Sequence, residues 1–123
     1  MRIIKGTVIR GEKIGKKLGY PTANLSRRVF GRRKMRNGVY AAEVLFGGTT
    51  YRALLVIGVP GVRRRFNKGK VEVYLLRFRG NLYGKKLMVR AYKKLRPIKS
   101  YADVTTLKRR IRLDIRQVRH YFK

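Results

Sequence analysis

In "KVEVYLLRF" (70–78), Val71, Val73 and Leu75 fall on one face, and Glu72, Tyr74 and Leu76 on the other. A period of two predicts a strand. "NGVYAAEVLF" (37–46) is rich in β-branched and aromatic residues, and the glycine pair at 47–48 can turn it back into "TTYRALLVIG" (49–58). "RIIKGTVIR" (2–10) is a further strand candidate, and "RGN" (79–81) turns the chain into "LYGKKLMVRAYKKL" (82–95). Five or six short strands at this spacing predict an antiparallel barrel or sandwich.

After Pro97 the period changes. Val104, Leu107, Ile111, Ile115, Val118 and Phe122 recur at spacings of three and four, the apolar stripe of a helix. Asp103 stands where an N-cap belongs. Lys108, Arg109, Arg112, Arg116 and Arg119 lie off the stripe, so the helix should lie along the strands with a basic face in water. There is no internal repeat and no domain boundary. A single domain over residues 1–123 is expected, long enough to bury roughly two thirds of its unfolded surface.

The charge changes this picture. Thirty-four Lys and Arg stand against five acids, a formal net charge of +29. Such a chain attracts polyanions such as nucleic acid, anionic lipid or phosphorylated ligands. The basic runs are spread along the chain, at 27–36, 63–70 and 108–116, so part of the charge can be plain solvated surface. With no cysteine, disulfides and thiolate chemistry are excluded. The opening "MRIIKG" lacks the apolar core of a signal peptide, and no run of about 18 apolar residues exists. A soluble, cytoplasmic, monomeric protein with no membrane span is expected.

Two places invite chemistry. In "GKKLGYPTANL" (15–25), glycines and two lysines precede a stiff Tyr-Pro step, then Thr22 and Asn24. Glycine lets backbone approach a ligand closely. Lys16 and Lys17 could meet phosphate oxygens, and on an extended segment Thr22 and Asn24 would point the same way. A hydroxyl and an amide carbonyl are hard donors that suit Mg²⁺. By pattern alone an ordinary connecting loop is the simpler reading, and no Walker A sequence is present. Glu72 is one of the five acids and sits in mid-strand. It either pairs with a nearby arginine or orients a substrate hydroxyl, and positive surroundings favour its ionised form. The single histidine, His120, falls in the last helical turn, where a surface or dipole contact is the ordinary role. Aromatic residues interleaved with basic ones in "VYLLRFRGNLYGKK" can be core, a stacking platform for bases, or the wall of a pocket for one flat ring.

"GTVIRGEKIGKKLGYPTANL", "GVYAAEV", "KVEVYLL", "LYGKKL" and "LRPIKSYADVTTLKRRIRLDI", in this order over nearly the whole chain, resemble the riboflavin kinase (flavokinase) family of the bacterial and eukaryotic type. The resemblance implies a mostly β fold, a six-stranded antiparallel Greek-key barrel with a C-terminal α-helix. It also implies transfer of the ATP γ-phosphoryl group to the riboflavin 5′-hydroxyl, giving FMN and ADP with Mg²⁺. By matching position, Glu72 would be the catalytic base, and Thr22 and Asn24 would hold metal and phosphates. Gly15 and Lys16 would lie in the phosphate-covering flap, and Tyr83 and Arg96 on the flavin side. Arg77, Arg79 and Asn81 stand where the family usually has acids, and the loop at 59–66 departs from its pattern. The alternative is a catalytically weak barrel of the same fold that binds nucleic acid through its basic surface.

Overall fold

A computed structural model describes residues 2–9, 22–25, 35–58 and 71–123. They form strands β1 (Arg2–Ile9), β2 (Thr22–Leu25), β3 (Gly38–Phe46), β4 (Thr49–Ile57), β5 (Val71–Leu75) and β6 (Lys86–Arg96), followed by helix α1 (Val104–Tyr121). The strands close into a barrel in the order β1-β2-β5-β4-β3-β6, all neighbours antiparallel. β3, β4 and β5 run as a meander and β6 returns beside β3, which is Greek-key connectivity. The barrel with its C-terminal helix is the architecture that the sequence implies.

Three boundaries differ from the sequence reading, each for a backbone reason. The stretch Thr22–Leu25, which pattern alone left open as a connecting loop, is a strand, because Ala23 and Leu25 point into the barrel core and Thr22 and Asn24 outward. β5 ends at Leu75 rather than at residue 78, because Arg77 takes φ 59, in the left-handed region that breaks a ladder. β6 begins at Lys86 rather than at residue 82, because Gly84 (φ 77) and a Lys85 N–H to Leu82 carbonyl bond of 2.9 Å close a turn first.

Two apolar layers follow from the alternation. Inside the barrel, Val8, Leu25, Leu55, Val73, Leu75 and Val89 are buried together. Outside it, Val39, Ala41, Leu54, Val56, Tyr74 and Leu76 meet Leu107, Ile111, Ile115 and Val118 of α1. β5 is therefore buried on both faces. Burying the four aliphatic side chains of the helix contributes on the order of 6–12 kcal/mol, so packing rather than helix propensity holds α1 in place. Asp103 caps the helix as expected, its carboxylate accepting from the Thr106 N–H at 2.7 Å.

The stripe itself needs one correction. Val104 is exposed, and Asp114 lies in the buried set at 0% exposure. Arg96, at the end of β6, donates from Nε at 2.8 Å and Nη2 at 2.7 Å to the two Asp114 oxygens, and Arg110 Nε lies 3.3 Å from Oδ1. A carboxylate survives there because its charge is matched by a bidentate guanidinium. Among the described residues, no helix is long and apolar enough to cross a membrane.

Removing one partner of a buried pair costs more than the pair is worth, because the other charge is left stranded. Asp114→Ala should therefore lower unfolding stability by about 3 kcal/mol in urea titration. The double variant Arg96→Met/Asp114→Leu should recover most of that loss. Equal stability of Asp114→Ala and the parent protein would show that the clamp does not hold α1.

Candidate active site on the β2–β5 wall

The pairing of β2 with β5 sets Asn24 directly opposite Glu72 and Thr22 opposite Tyr74. Opposed residues of an antiparallel pair share a face, with Cβ atoms about 4.5–5.5 Å apart. Thr22, Asn24, Glu72 and Tyr74 thus form one cluster on the outer wall, beneath which Ala23, Val71 and Val73 fill the core. The expectation that Thr22 and Asn24 point the same way holds, and the strand supplies the reason.

The register continues in both directions. Ile9 of β1 is opposite Asn24, Val56 of β4 opposite Glu72, Val39 of β3 opposite Val56, and Arg96 of β6 opposite Val39. One row of the barrel wall therefore runs from Ile9 through Asn24 and Glu72 to Arg96. Glu72 and Arg96 are three strands apart, about 14 Å along the wall at the usual strand spacing.

Glu72 is only 5% exposed. One of its partners stands two residues on in the same strand. Tyr74, two residues on and on the same face, donates its hydroxyl hydrogen bond to the Glu72 carboxylate. Burial raises the tyrosine's pKa far above its usual value, and the Glu72 charge, the hydrogen bond and the Asp114 charge push it further. Tyr74 thus keeps its proton above the usual range for a tyrosine and shares it with the Glu72 carboxylate. The sequence pattern places Tyr74 on the correct face but carries no sign of this role.

The other expected site residues sort into three groups. Gly15 and Lys16 lie outside the described residues, as does the loop at 59–66. Tyr83 is 53% exposed in the turn before β6, where its N–H donates to Asn81 Oδ1 at 2.9 Å. The next residue, Gly84, donates to the Val8 carbonyl at 2.9 Å, so Tyr83 stands across β1 from Asn24. Arg96 is held by Asp114 and also donates to the Pro97 carbonyl at 3.2 Å, with its guanidinium 6.0 Å from the Tyr101 ring. Burial works against the Arg96 charge, but the hydrogen bonds and charge of Asp114 outweigh that and raise its pKa. The structure brings Thr22, Asn24 and Glu72 together, places Tyr83 at the edge, and gives Arg96 to the helix clamp.

A carboxylate beside an amide carbonyl and a hydroxyl is a set of hard oxygen donors, which fits Mg²⁺ and phosphate chemistry. The remaining described acids are occupied elsewhere. Glu43 accepts from the Tyr92 hydroxyl and lies opposite Arg52 and Arg90 in register, while Asp103 caps the helix. Among the described residues, no group of three His, Cys, Asp or Glu side chains could hold a metal, and His120 is exposed in the last turn of α1 as expected.

Comparison with known proteins follows the same line. The riboflavin kinase family profile matches residues 2–122. The chain is 40% identical over 121 residues to a bifunctional riboflavin kinase/FMN adenylyltransferase of Buchnera aphidicola, covering 97% of this chain and 38% of that protein. It is 33% identical to the RNA-binding riboflavin kinase RibR of Bacillus subtilis, covering 100% of this chain and 52% of that protein. A solved structure described as a macrolide-efflux protein of Streptococcus pneumoniae superposes with a TM-score of 0.77 at 29% identity, over 95% of this chain and 38% of that one. The chain thus spans less than two thirds of the length of these relatives.

The Tyr74 hydroxyl has a measurable consequence. In the unfolded chain a tyrosine loses its proton near pH 10, whereas folded Tyr74 keeps it well above that value. Its stabilising contribution is full below about pH 10 and is lost as pH rises further, by about 1.4 kcal/mol per pH unit. Tyr74→Phe should therefore flatten the decline of urea stability above about pH 10 relative to the parent. Parallel declines in both proteins would show that folding does not raise the Tyr74 pKa.

Proposed function

We propose that this chain, which belongs to the riboflavin kinase family, transfers the γ-phosphoryl group of ATP to the 5′-hydroxyl of riboflavin, giving FMN and ADP. The observation that carries the proposal is the register that sets Asn24 opposite Glu72, with Thr22 one step along the same face. Phosphoryl transfer asks a protein mainly for positioning and charge neutralisation, and one carboxylate suffices to orient the nucleophile.

In this reading Glu72, held by Tyr74, accepts the hydrogen bond of the riboflavin 5′-hydroxyl and aims its oxygen at the γ-phosphorus. As the new P–O bond forms, the bond from the γ-phosphorus to the β–γ bridging oxygen breaks. The hydroxyl proton passes to the Glu72 carboxylate, and ADP leaves with the bridging oxygen. Thr22 and Asn24 would hold Mg²⁺ by their side-chain oxygens, and the ion would supply neutralisation of phosphate charge. By the family resemblance, Gly15 and Lys16 would meet the ATP phosphates. Tyr83 offers its exposed ring to the flavin side. Arg96 serves that side through α1, which its bond to Asp114 holds against the wall. Residues 1–123 act as one domain in this reading.

A second activity is favoured by a separate observation. The charge of +29 exceeds what one phosphorylated substrate, ATP, requires, and RibR carries RNA binding in its name beside riboflavin kinase. RNA association would accompany transfer rather than replace it.

The chain incubated with riboflavin, ATP and Mg²⁺ should form FMN in proportion to protein, detected by chromatography, and none when the metal is chelated. Glu72→Gln should lower kcat by roughly 10²- to 10⁴-fold while riboflavin binding persists. Asn24→Ala should raise the Mg²⁺ concentration needed for half-maximal rate. Parent-like turnover in both variants would overturn the site.

A further inference from the structure

Helix α1 is about 27 Å long at the standard rise, and its two sides carry opposite chemistry. One side is spent on the barrel, through Leu107, Ile111, Ile115 and Val118. At about 100° per residue, Lys108, Arg109, Arg112, Arg116 and Arg119 fall within an arc of about 100° that borders the buried stripe. All four arginines of that arc are exposed. Their spacings of three and four place like charges side by side, where a solvated helix ordinarily alternates acids with bases.

Among the described residues, no acid of the helix lies on this face. Asp114, the only acid in the helix, is fully buried and bound to Arg96 and Arg110. We propose that the outward face of α1 is a binding surface for structured RNA, contacting the phosphate backbone and unpaired bases of a bulged stem. The proposal rests on the second activity above and not on phosphoryl transfer.

Two features select this partner. A membrane-surface helix must offer an apolar face to the lipid, and the apolar face of α1 is already buried against the barrel. Four of the five cations in the arc are arginine, whose planar fork binds phosphate oxygens in pairs and stacks on splayed bases. A regular DNA duplex presents no unpaired base to stack on. Successive arginines at Arg112, Arg116 and Arg119 rise by about 5–6 Å per step, so one face can follow several phosphates of a strand.

The test is fluorescence anisotropy with a fluorescein-labelled RNA stem-loop carrying a bulge, titrated with the full chain between about 0.05 and 0.2 M salt. The parent protein should bind with log affinity falling linearly with log salt. The triple variant Arg112→Gln/Arg116→Gln/Arg119→Gln should lose about 2 to 3 from that slope, with FMN formation and far-ultraviolet circular dichroism unchanged. A control triple at exposed cations on the β1–β6 side, Lys5→Gln/Lys85→Gln/Lys86→Gln, should change the slope by less than about 1. An unchanged slope in the α1 triple, with parent binding intact, overturns the assignment to α1 and leaves RNA binding standing. Absence of parent binding overturns both, without touching the kinase. Equal affinity for a blunt DNA duplex, or stronger association with phosphatidylglycerol vesicles than with the RNA, overturns RNA as the partner.

Discussion

Everything at the candidate site depends on the register of four residue pairs between β2 and β5. Side chains alternate with a period of two, so a slip by one residue would turn Thr22 and Asn24 into the core and put Ala23 and Leu25 on the outer wall. The packing forbids that slip. Ala23 and Leu25 are fully enclosed within the barrel, and Gly6 on β1 leaves room for Leu25, whose Cβ would lie 3.1 Å from any Cβ added there. The polar cluster is thus set by the apolar residues alternating with it. A carboxylate held this way needs little further ordering, which is the preorganisation that phosphoryl transfer exploits.

The same strand, β5, explains why the helix matters to a site it does not itself supply. Burial of β5 on its inner face requires the barrel, and burial of Tyr74 and Leu76 on the outer face requires a cover. Helix α1 is that cover. Tyr74 then has hydrophobic neighbours over its ring and Glu72 at its hydroxyl, which explains both its burial and its raised pKa. The Arg96–Asp114 clamp fixes the helix relative to the end of β6, and the Asp114 charge is felt at Tyr74. Folding and the proposed chemistry therefore share the buried contacts between β5 and α1.

The acids show how a very basic chain distributes scarce negative charge. Of the four within the described residues, Asp114 secures the helix, Asp103 caps it, Glu43 lies in the Arg52–Arg90 register with Tyr92, and Glu72 faces Asn24. Each sits where a particular hydrogen bond or partner charge needs it. None of these four lies on the outer face of α1, whose arginines carry the proposed contact with an external anion.

The alternation at 70–78, the glycine pair at 47–48, the Asp103 cap and the three-four stripe after Pro97 are local features, and local features determined the strands, the hairpin and the helix. A period of two also told that Glu72 and Tyr74 share a face and that Thr22 and Asn24 share another. Which of these faces meet is a matter of strand pairing between segments nearly fifty residues apart, and only closure of the barrel decided it. The same holds for Asp114, which interrupts an apolar stripe and reads from sequence as one more surface acid. Its burial follows from an arginine eighteen residues earlier, brought to it by packing. Periodicity reports what a segment buries, whereas the partner it buries against is a long-range choice made by the whole barrel.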